Sequence, residues 1–229
     1  MTAPRLAATL IAITLAASPT LAAERSFPVG AFDRLAVSGA SDVTVTTGKA
    51  IGVSASGDEA ALDRLEILVE DGTLKIRSKS KYGMSWSSGK TRVAVTVPML
   101  RSTDVAGSGN LSVDRIETPD FSANVSGSGA LNLPRLTTAK SRFSVAGSGN
   151  VSTAGTSTET KASVAGSGNL AIPALKSNTL SASVSGSGSV DAFATTTASI
   201  SVAGSGDVRV RGGARCAISK SGSGSVDCG

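Results

Sequence analysis

The stretch SVAGSGNLAI, residues 163–172, has near-copies before and after it along the chain. Earlier copies are DVAGSGNLSV at 104–113 and SVAGSGNVST at 144–153, and a later copy is SVSGSGSVDA at 183–192. The Gly-Ser-Gly triplet in their middle recurs every 18 to 20 residues within 105–226, and its first glycines are Gly107, Gly127, Gly147, Gly166, Gly186, Gly204 and Gly222. A fixed period of this length is typical of solenoids, in which each repeat forms one layer of a stack.

Hydrophobic and polar residues alternate on both sides of each triplet. The hydrophobic positions nearest the triplet are Val105, Val125, Val145, Val164, Val184 and Val202 before it, and Leu111, Leu131, Val151, Leu170, Val190, Val208 and Val226 after it. A period of two is typical of a strand with one buried face. Glycine reaches backbone angles that a Cβ forbids, so the triplet suits a tight bend. Each repeat is therefore predicted to be a strand, a Gly-Ser-Gly corner, a second strand and a looser turn, such as 114–120 or 134–139.

Stacking these repeats predicts an all-β protein, a parallel β-helix (β-solenoid) with coils of about 20 residues. Neighbouring coils pair at about 4.8 Å. The seven triplets and a degenerate copy, VSGASDV at 37–43, give seven or eight coils. Like polar residues then form ladders along the stack: Ser108, Ser128, Ser148, Ser167, Ser187, Ser205 and Ser223; Asn110, Asn150, Asn169 and Asp207; and Asn124, Ser144, Ser163, Ser183, Ser201 and Ser219. The simplest interpretation of these ladders is stacking and hydrogen bonding between coils.

The N-terminal residues have the order of a secretory signal. Arg5 is the only charge before an apolar run at 6–17, and small residues at 21–23 suit cleavage after Ala22 or Ala23. The run is too short to span a bilayer, which needs about 20 apolar residues. Residues 1–23 are therefore predicted to be a signal peptide and 24–229 a single β-helix domain. We expect this domain to be exported to the periplasm or cell surface, with no transmembrane segment after removal of the signal.

Residues 57–77 depart from the repeat pattern. Asp58 is placed to cap a short helix that runs through Leu65, and residues 66–77 have the pattern of a hairpin with an Asp-Gly turn. A polar, basic loop follows at 78–92 and has two interpretations. Aromatic side chains beside cations suit a ligand-binding loop, or an aromatic side chain closes over the stack. The candidate ligand-binding residues of this loop are Lys81, Tyr82, Trp86, Lys90 and Arg92.

Cys216 and Cys228 are the only cysteines, and they lie six residues on either side of Gly222. Both fall on the inward parity of the last coil. In an oxidising compartment such a pair is expected to form a disulfide, which would close this coil. A redox or metal pair is the alternative, but the spacing is not Cys-x-x-Cys and the sequence offers no other soft ligand.

Composition argues against most catalytic chemistry. The chain has no histidine, which removes the commonest general base and metal ligand. Without the signal and its one arginine, 21 basic and 17 acidic residues remain, a charge too diffuse to indicate nucleic acid. A polysaccharide-cleaving enzyme needs clustered carboxylates. The acidic residues near the turns are scattered instead: Asp114, Glu117, Asp120, Glu159 and Asp191. No cofactor, catalytic residue or metal ligand is expected.

Four segments resemble one protein family. They are FDRLAVSGASDVTV at 32–45, GDEAALDRLEILVEDGTLKI at 57–76, VAVTVPML at 93–100 and the serial Gly-Ser-Gly steps. Together they identify the chain as similar to the putative auto-transporter adhesin head GIN domain family, over about residues 27–228. The resemblance implies a right-handed parallel β-helix in an exported bacterial protein, and no catalytic residues.

Three functions remain compatible with the sequence. The first is a non-catalytic, adhesin-like envelope or surface module that binds a glycan or an envelope protein. The second is a purely structural or assembly protein of the periplasm. The third and most remote is a β-helix enzyme that acts on polysaccharides. The sequence favours the first and does not identify the partner.

Overall fold

The computed structural model describes residues 23–79 and 91–229 and consists almost entirely of strands. One short helix, α1, covers Glu59–Arg64. The strands are β1 (Ala23–Ser26), β2 (Arg34–Gly39), β3 (Asp42–Thr47), β4 (Gly52–Gly57), β5 (Leu65–Glu70), β6 (Thr73–Ser78), β7 (Arg92–Val97), β8 (Ser102–Gly107), β9 (Asn110–Val113), β10 (Ile116–Glu117), β11 (Asp120–Gly127), β12 (Ala130–Gly147), β13 (Asn150–Gly166), β14 (Asn169–Gly186), β15 (Ser189–Gly204), β16 (Asp207–Arg211), β17 (Arg215–Ser221) and β18 (Val226–Cys228).

Successive coils pair in parallel, which confirms the predicted parallel β-helix. Strand β11 pairs with β12, β12 with β13, β13 with β14 and β14 with β15, all in parallel. The stack has about six turns of about 20 residues, fewer than the seven or eight expected. The count of corners, the seven triplets and the degenerate copy, overestimates the turns because it includes the incomplete first and last coils. After the corner at Gly39 the chain leaves the repeat for β4 to β6, and the corner at Gly222 joins β17 and β18 of the incomplete last coil.

Each coil has three sides, as the burial pattern of β12 shows. Side A contains buried Leu131 and Leu133, side B contains buried Leu136 and Thr138, and side C contains buried Ser141, Phe143 and Val145. Exposed residues at 134–135 and 139–140 separate the sides. The expected looser turn is therefore wrong in detail, because part of it forms side B. In the preceding coil the same segment, 114–120, contains strand β10.

The Gly-Ser-Gly corners stack directly upon one another. Gly166 has Gly147 and Gly186 as its register partners in the neighbouring coils. Its φ of 118° lies in the region that L side chains rarely adopt. A Cβ at this position would lie 2.6 Å from the carbonyl oxygen of Gly147. That oxygen accepts a hydrogen bond from the amide of Ser167, at 2.9 Å. The corner is therefore specified both by backbone conformation and by the close approach of the next coil.

The interior is mostly aliphatic, apart from one pair of phenylalanine rings and one ladder of buried hydroxyl groups. Phe121 and Phe143 pack edge to face, with ring centroids 6.2 Å apart. Buried hydroxyls form a ladder at the corner between sides B and C. Ser141 Oγ lies 2.9 Å from Thr160 Oγ1, which lies 2.6 Å from Ser177 Oγ. Such a ladder satisfies hydrogen bonds that apolar neighbours could not provide.

Antiparallel strands and the helix build the N-terminal end. Strand β1 pairs antiparallel with β4, and β4 pairs antiparallel with β7, which continues side A. Strands β5 and β6 form the expected hairpin, and Ala61 and Leu62 of α1 are buried. The backbone carbonyl of Asp58 accepts from Ala61 and Leu62, but its side chain makes no capping hydrogen bond. None of the helices in 23–79 and 91–229 is long and apolar enough to cross a membrane.

The last coil is closed by the predicted disulfide. Cys216 and Cys228 are bonded, with their Cα atoms 6.6 Å apart, and both side chains pack against the core. Lys220 occupies the position of the usual valine, and its Nζ donates to the carbonyl oxygen of Gly224 at 2.8 Å. Ile218 is 50% exposed, so the apolar interior is less completely covered here than elsewhere in the stack.

Candidate ligand-binding groove

An open groove lies on side C, in the N-terminal half of the stack. Its volume is about 480 Å³. Five cations line it: Arg34, Arg101, Lys140, Arg142 and Lys161. Two carboxylates, Asp120 and Glu159, line it as well. The balance of charge within the groove is therefore positive.

The register of the β-helix brings cations from distant parts of the sequence into one column. Arg34 pairs with Ser102, Ser102 with Ser122, and Ser122 with Arg142. Arg142 pairs in turn with Lys161. With coils spaced at about 4.8 Å, the column places Arg34 about 14 Å from Arg142 and about 19 Å from Lys161. These five residues, three cations and two serines, lie outward on side C. We call them the cation column: Arg34, Ser102, Ser122, Arg142 and Lys161.

The two serines of the cation column account for the depth of the groove. Ser102 and Ser122 are short and lie between the long side chains of Arg34 and Arg142. Beneath them Phe121 and Ser141 are each 3% exposed, and they form the floor. The hydroxyl of Ser141 is engaged with Ser157 and Thr160 in the buried ladder. The groove is therefore a depression between two cationic ends over a rigid, packed base.

A second column runs beside the first. Asp120, Lys140 and Glu159 are register partners in three successive coils, so Lys140 lies between the two carboxylates. Arg101 directly precedes Ser102 and lies at the same end of the groove as Arg34. The groove therefore has two cationic ends, Arg34 with Arg101 and the group of Lys140, Arg142 and Lys161.

Ion pairs at the groove are few and exposed. Lys161 Nζ lies 3.4 Å from Glu159 Oε1. Asp33 lies between Arg34 and Arg101, with its carboxylate oxygens 3.6 and 3.4 Å from their Nε atoms. These cations are about half exposed, and exposed pairs of this kind contribute about 0–1 kcal/mol. Lys140 and Arg142 form no side-chain ion pair within the described part of the chain. Lys140 and Arg142 are therefore available to an incoming anion. The other three cations can exchange their weak, exposed pairs for one, although Arg34 also donates to the carbonyl oxygen of Asp71.

Of the candidate residues in the predicted ligand-binding loop, the described part of the chain includes Arg92, which does not line this groove. Lys81, Tyr82, Trp86 and Lys90 lie outside the described residues. Arg92 is exposed at the start of β7 and pairs in register with Asp42, on side A. A role of this loop in binding stays a prediction.

The sequence contains a signal for the groove in the spacing between three of its cations and the glycine corners. Arg34, Arg142 and Lys161 each lie five residues before the first glycine of a corner, at Gly39, Gly147 and Gly166. An alignment of the outward positions by their distance from the corner would have placed them in one column.

The asparagine ladder has the predicted role of hydrogen bonding between coils. Asn110 Nδ2 donates to Asp42 Oδ1 at 2.8 Å, and Asn169 Nδ2 donates to Asn150 Oδ1 at 3.0 Å. At the last coil, the hydroxyl and amide of Ser225 donate to Asp207 Oδ1 at 2.6 and 2.9 Å. These two hydrogen bonds hold the pKa of Asp207 below its ordinary value.

Most of the acidic residues considered for catalysis lie apart from one another. Asp114 accepts hydrogen bonds from the amide and hydroxyl of Thr47, at 2.9 and 3.2 Å. Asp191 pairs with Arg211 at 3.2 Å. Asp120 and Glu159 do share the groove, although the acidic residues were expected to be scattered. They lie two coils apart, about 10 Å along the stack. In residues 23–79 and 91–229 no group of three or more Cys, Asp or Glu side chains is placed to hold a metal ion.

Comparison with known proteins gives one family and several similar folds. The family model described as "Putative auto-transporter adhesin, head GIN domain" matches residues 31–214. A crystal structure of a "putative adhesin" from Bacteroides fragilis has a TM-score of 0.84 at 21% identity, covering 91% of this chain and 97% of that one. A "Putative lipid binding protein" from Parabacteroides distasonis has a TM-score of 0.75 at 22% identity, covering 92% and 98%. At such identities the likeness concerns the fold alone. No curated protein matches the sequence.

Proposed function

The chain belongs to the putative auto-transporter adhesin head GIN domain family, and from that premise we propose that it is an exported, non-catalytic binding module with an adhesin-like role. The observation that carries the proposal is the open groove on side C. It combines five cations with the half-buried hydroxyls of Ser102 and Ser122 on a scaffold that is hydrogen-bonded from coil to coil. A rigid scaffold loses little conformational freedom on binding, which favours affinity.

Export of the domain rests on its N-terminal sequence and its cysteines. Residues 1–23 have the order of a signal peptide, and 24–229 would then be the mature single domain. The bonded pair Cys216 and Cys228 suits an oxidising compartment. N-terminal sequencing of the protein purified from the envelope tests this proposal. A mature N-terminus at Ala23 or Glu24 is expected, whereas retention of Met1 with a cytoplasmic location would contradict export. Fractionation of the envelope distinguishes the periplasm from the cell surface.

Binding is tested on an array of glycans and on immobilised envelope proteins. Wild-type protein is compared with Trp86→Ala, which removes the aromatic side chain of the predicted binding loop, and with Arg142→Gln/Lys161→Gln in the groove. Loss of binding in the groove variant alone supports the function as proposed here. Loss of binding in Trp86→Ala alone would indicate that the binding site lies in the loop and not in the groove. Wild-type protein that binds nothing on either array would contradict a binding module and favour the assembly role.

The enzyme alternative has a separate test. Asp120 and Glu159 share the groove, but Lys140 lies between them and Lys161 pairs with Glu159. We expect no release of reducing sugar from acidic or neutral polysaccharides. Release that disappears in Asp120→Asn would contradict a non-catalytic role.

A further inference from the structure

We propose that the groove on side C binds a linear anionic polysaccharide, whose chain lies parallel to the axis of the β-helix. The inference rests on the proposed binding function and specifies its ligand. The ligand class is a chain of sugars that bear carboxylate or sulfate groups, with free hydroxyls between them.

The length of the groove favours a chain over a small anion. Arg34 and Arg101 lie at one end, and Lys140, Arg142 and Lys161 lie at the other. The cation column spans about 19 Å, so one carboxylate or phosphate reaches only one end. A polymer reaches both ends at once, and its second contact benefits from a high effective concentration. Affinity is therefore expected to rise with the length of the chain until it spans both ends.

The mixture of polar groups fits an acidic sugar. Cations at both ends match carboxylate or sulfate groups. The hydroxyls of Ser102 and Ser122 and the carboxylates of Asp120 and Glu159 lie between or beside them and are partners for sugar hydroxyls. A ligand with anionic groups alone would leave Asp120 and Glu159 facing like charge.

A membrane surface and a nucleic acid fit the groove less well. The large hydrophobic side chains exposed in the described residues are Met99 and Ile218, and neither lines the groove. Binding at a membrane interface combines cations with inserted apolar side chains. Binding of single-stranded nucleic acid relies on aromatic stacking. Within the described ranges no aromatic side chain is exposed.

The test compares two pairs of substitutions that remove the same charge. Arg142→Gln/Lys161→Gln removes two cations of the groove, and Arg135→Gln/Lys176→Gln removes two exposed cations outside it. Titration calorimetry measures binding of polygalacturonate, alginate and chondroitin sulfate, with neutral dextran as the negative ligand. We expect the groove variant to bind about tenfold more weakly than wild type. The reason is that it loses two ionic contacts with the polysaccharide, each as strong as an exposed ion pair. The control variant is expected to stay within about twofold of wild type.

A second pair, Arg34→Gln/Arg101→Gln, tests the other end of the groove independently. Circular dichroism and thermal unfolding check that each variant is folded. A series of oligogalacturonates tests length, and we expect the octasaccharide to bind more tightly than the disaccharide for wild type. For either groove variant this gain is expected to shrink. Equal affinities of the disaccharide and the octasaccharide would overturn the proposed orientation along the axis.

Three results overturn the inference. The first is that the wild-type protein binds none of the acidic polysaccharides. The second is that the groove variants and the control variant lose affinity for the polysaccharides to the same extent. The third is binding to phosphatidylglycerol vesicles or single-stranded DNA without binding to soluble polysaccharide. If the protein instead binds a neutral glycan or an envelope protein, the proposed binding function still holds and only the inferred ligand is wrong. If the protein binds nothing at all, the proposed function and the inferred ligand are both wrong.

Discussion

Replacing Gly166 with alanine tests whether the Gly-Ser-Gly corners stack in register. Gly166 has a φ of 118°, and a Cβ built there lies 2.6 Å from the carbonyl oxygen of Gly147 in the preceding coil. That oxygen accepts the amide of Ser167 at 2.9 Å. The added methyl group therefore opposes both the local backbone conformation and a hydrogen bond between coils. The coils have to separate or the corner has to change its backbone angles.

The expected loss of stability follows from these two effects. A Cβ in the left-handed region costs about 1–2 kcal/mol. Weakening one hydrogen bond between coils adds about 1 kcal/mol. Gly166→Ala should therefore lower the free energy of unfolding by about 2–3 kcal/mol. The matched control is Ser167→Ala, because Ser167 is exposed and its amide is retained. Exposed substitutions of this kind usually change stability by less than about 0.5 kcal/mol.

Urea unfolding followed by circular dichroism at the β-sheet band measures the difference. We expect Gly166→Ala to unfold at a clearly lower midpoint concentration of urea than wild type. The midpoint for Ser167→Ala should equal that of wild type. If the two variants unfold at the same urea concentration, Gly166 does not lie in a left-handed corner packed against Gly147, and the stacking described here is wrong.

Three further substitutions test other parts of the stack. Phe143→Ala removes a fully buried ring that packs against Phe121, and we expect a loss of about 3–5 kcal/mol in urea unfolding; a loss below about 1 kcal/mol would contradict the packing. Cys228→Ser removes the disulfide, with an expected loss of about 2–3 kcal/mol and faster hydrogen exchange in β17 and β18; unchanged exchange there would contradict its role in closing the last coil. Asp207→Asn tests the acceptor of two hydrogen bonds from Ser225. Because the pKa of Asp207 is below its ordinary 3.8 when folded, its contribution is present above that pH and is lost as the pH falls through the lowered pKa. Hydrogen exchange of the last coil should therefore show a weaker acid dependence in Asp207→Asn than in wild type, and an identical dependence would exclude this role.

The repeated corners made the fold predictable from the sequence. Glycine at positive φ and alternation of valine or leucine with polar residues are local requirements, and they recur in every coil. Cys216 and Cys228 could be paired because both share the inward parity. Side B was missed because its strands are short and follow residues such as Pro134 and Arg135, which are typical of a turn. A strand of two or three residues provides too little alternation to be recognised.

The candidate groove was not predicted because it depends on register between distant segments. Arg34 precedes a long departure from the repeat, and Ser102 takes the next position in its column. Side C is otherwise rich in serine and threonine, and its ladder of outward residues indicated stacking and hydrogen bonding between coils. Arg101 does not occupy one of the outward positions of the period-two pattern. It lines the groove because of the course that the backbone takes directly before β8. Charge counts over the whole chain could not reveal such a local concentration.

A crystal structure of the protein with a bound oligogalacturonate tests the central claim most directly. We expect electron density for the sugar chain on side C, parallel to the stack, with carboxylates against Arg34 at one end and Arg142 at the other. Density that crosses the coils, or that lies on side A or side B with the groove empty, would contradict this account of how the β-helix binds its ligand.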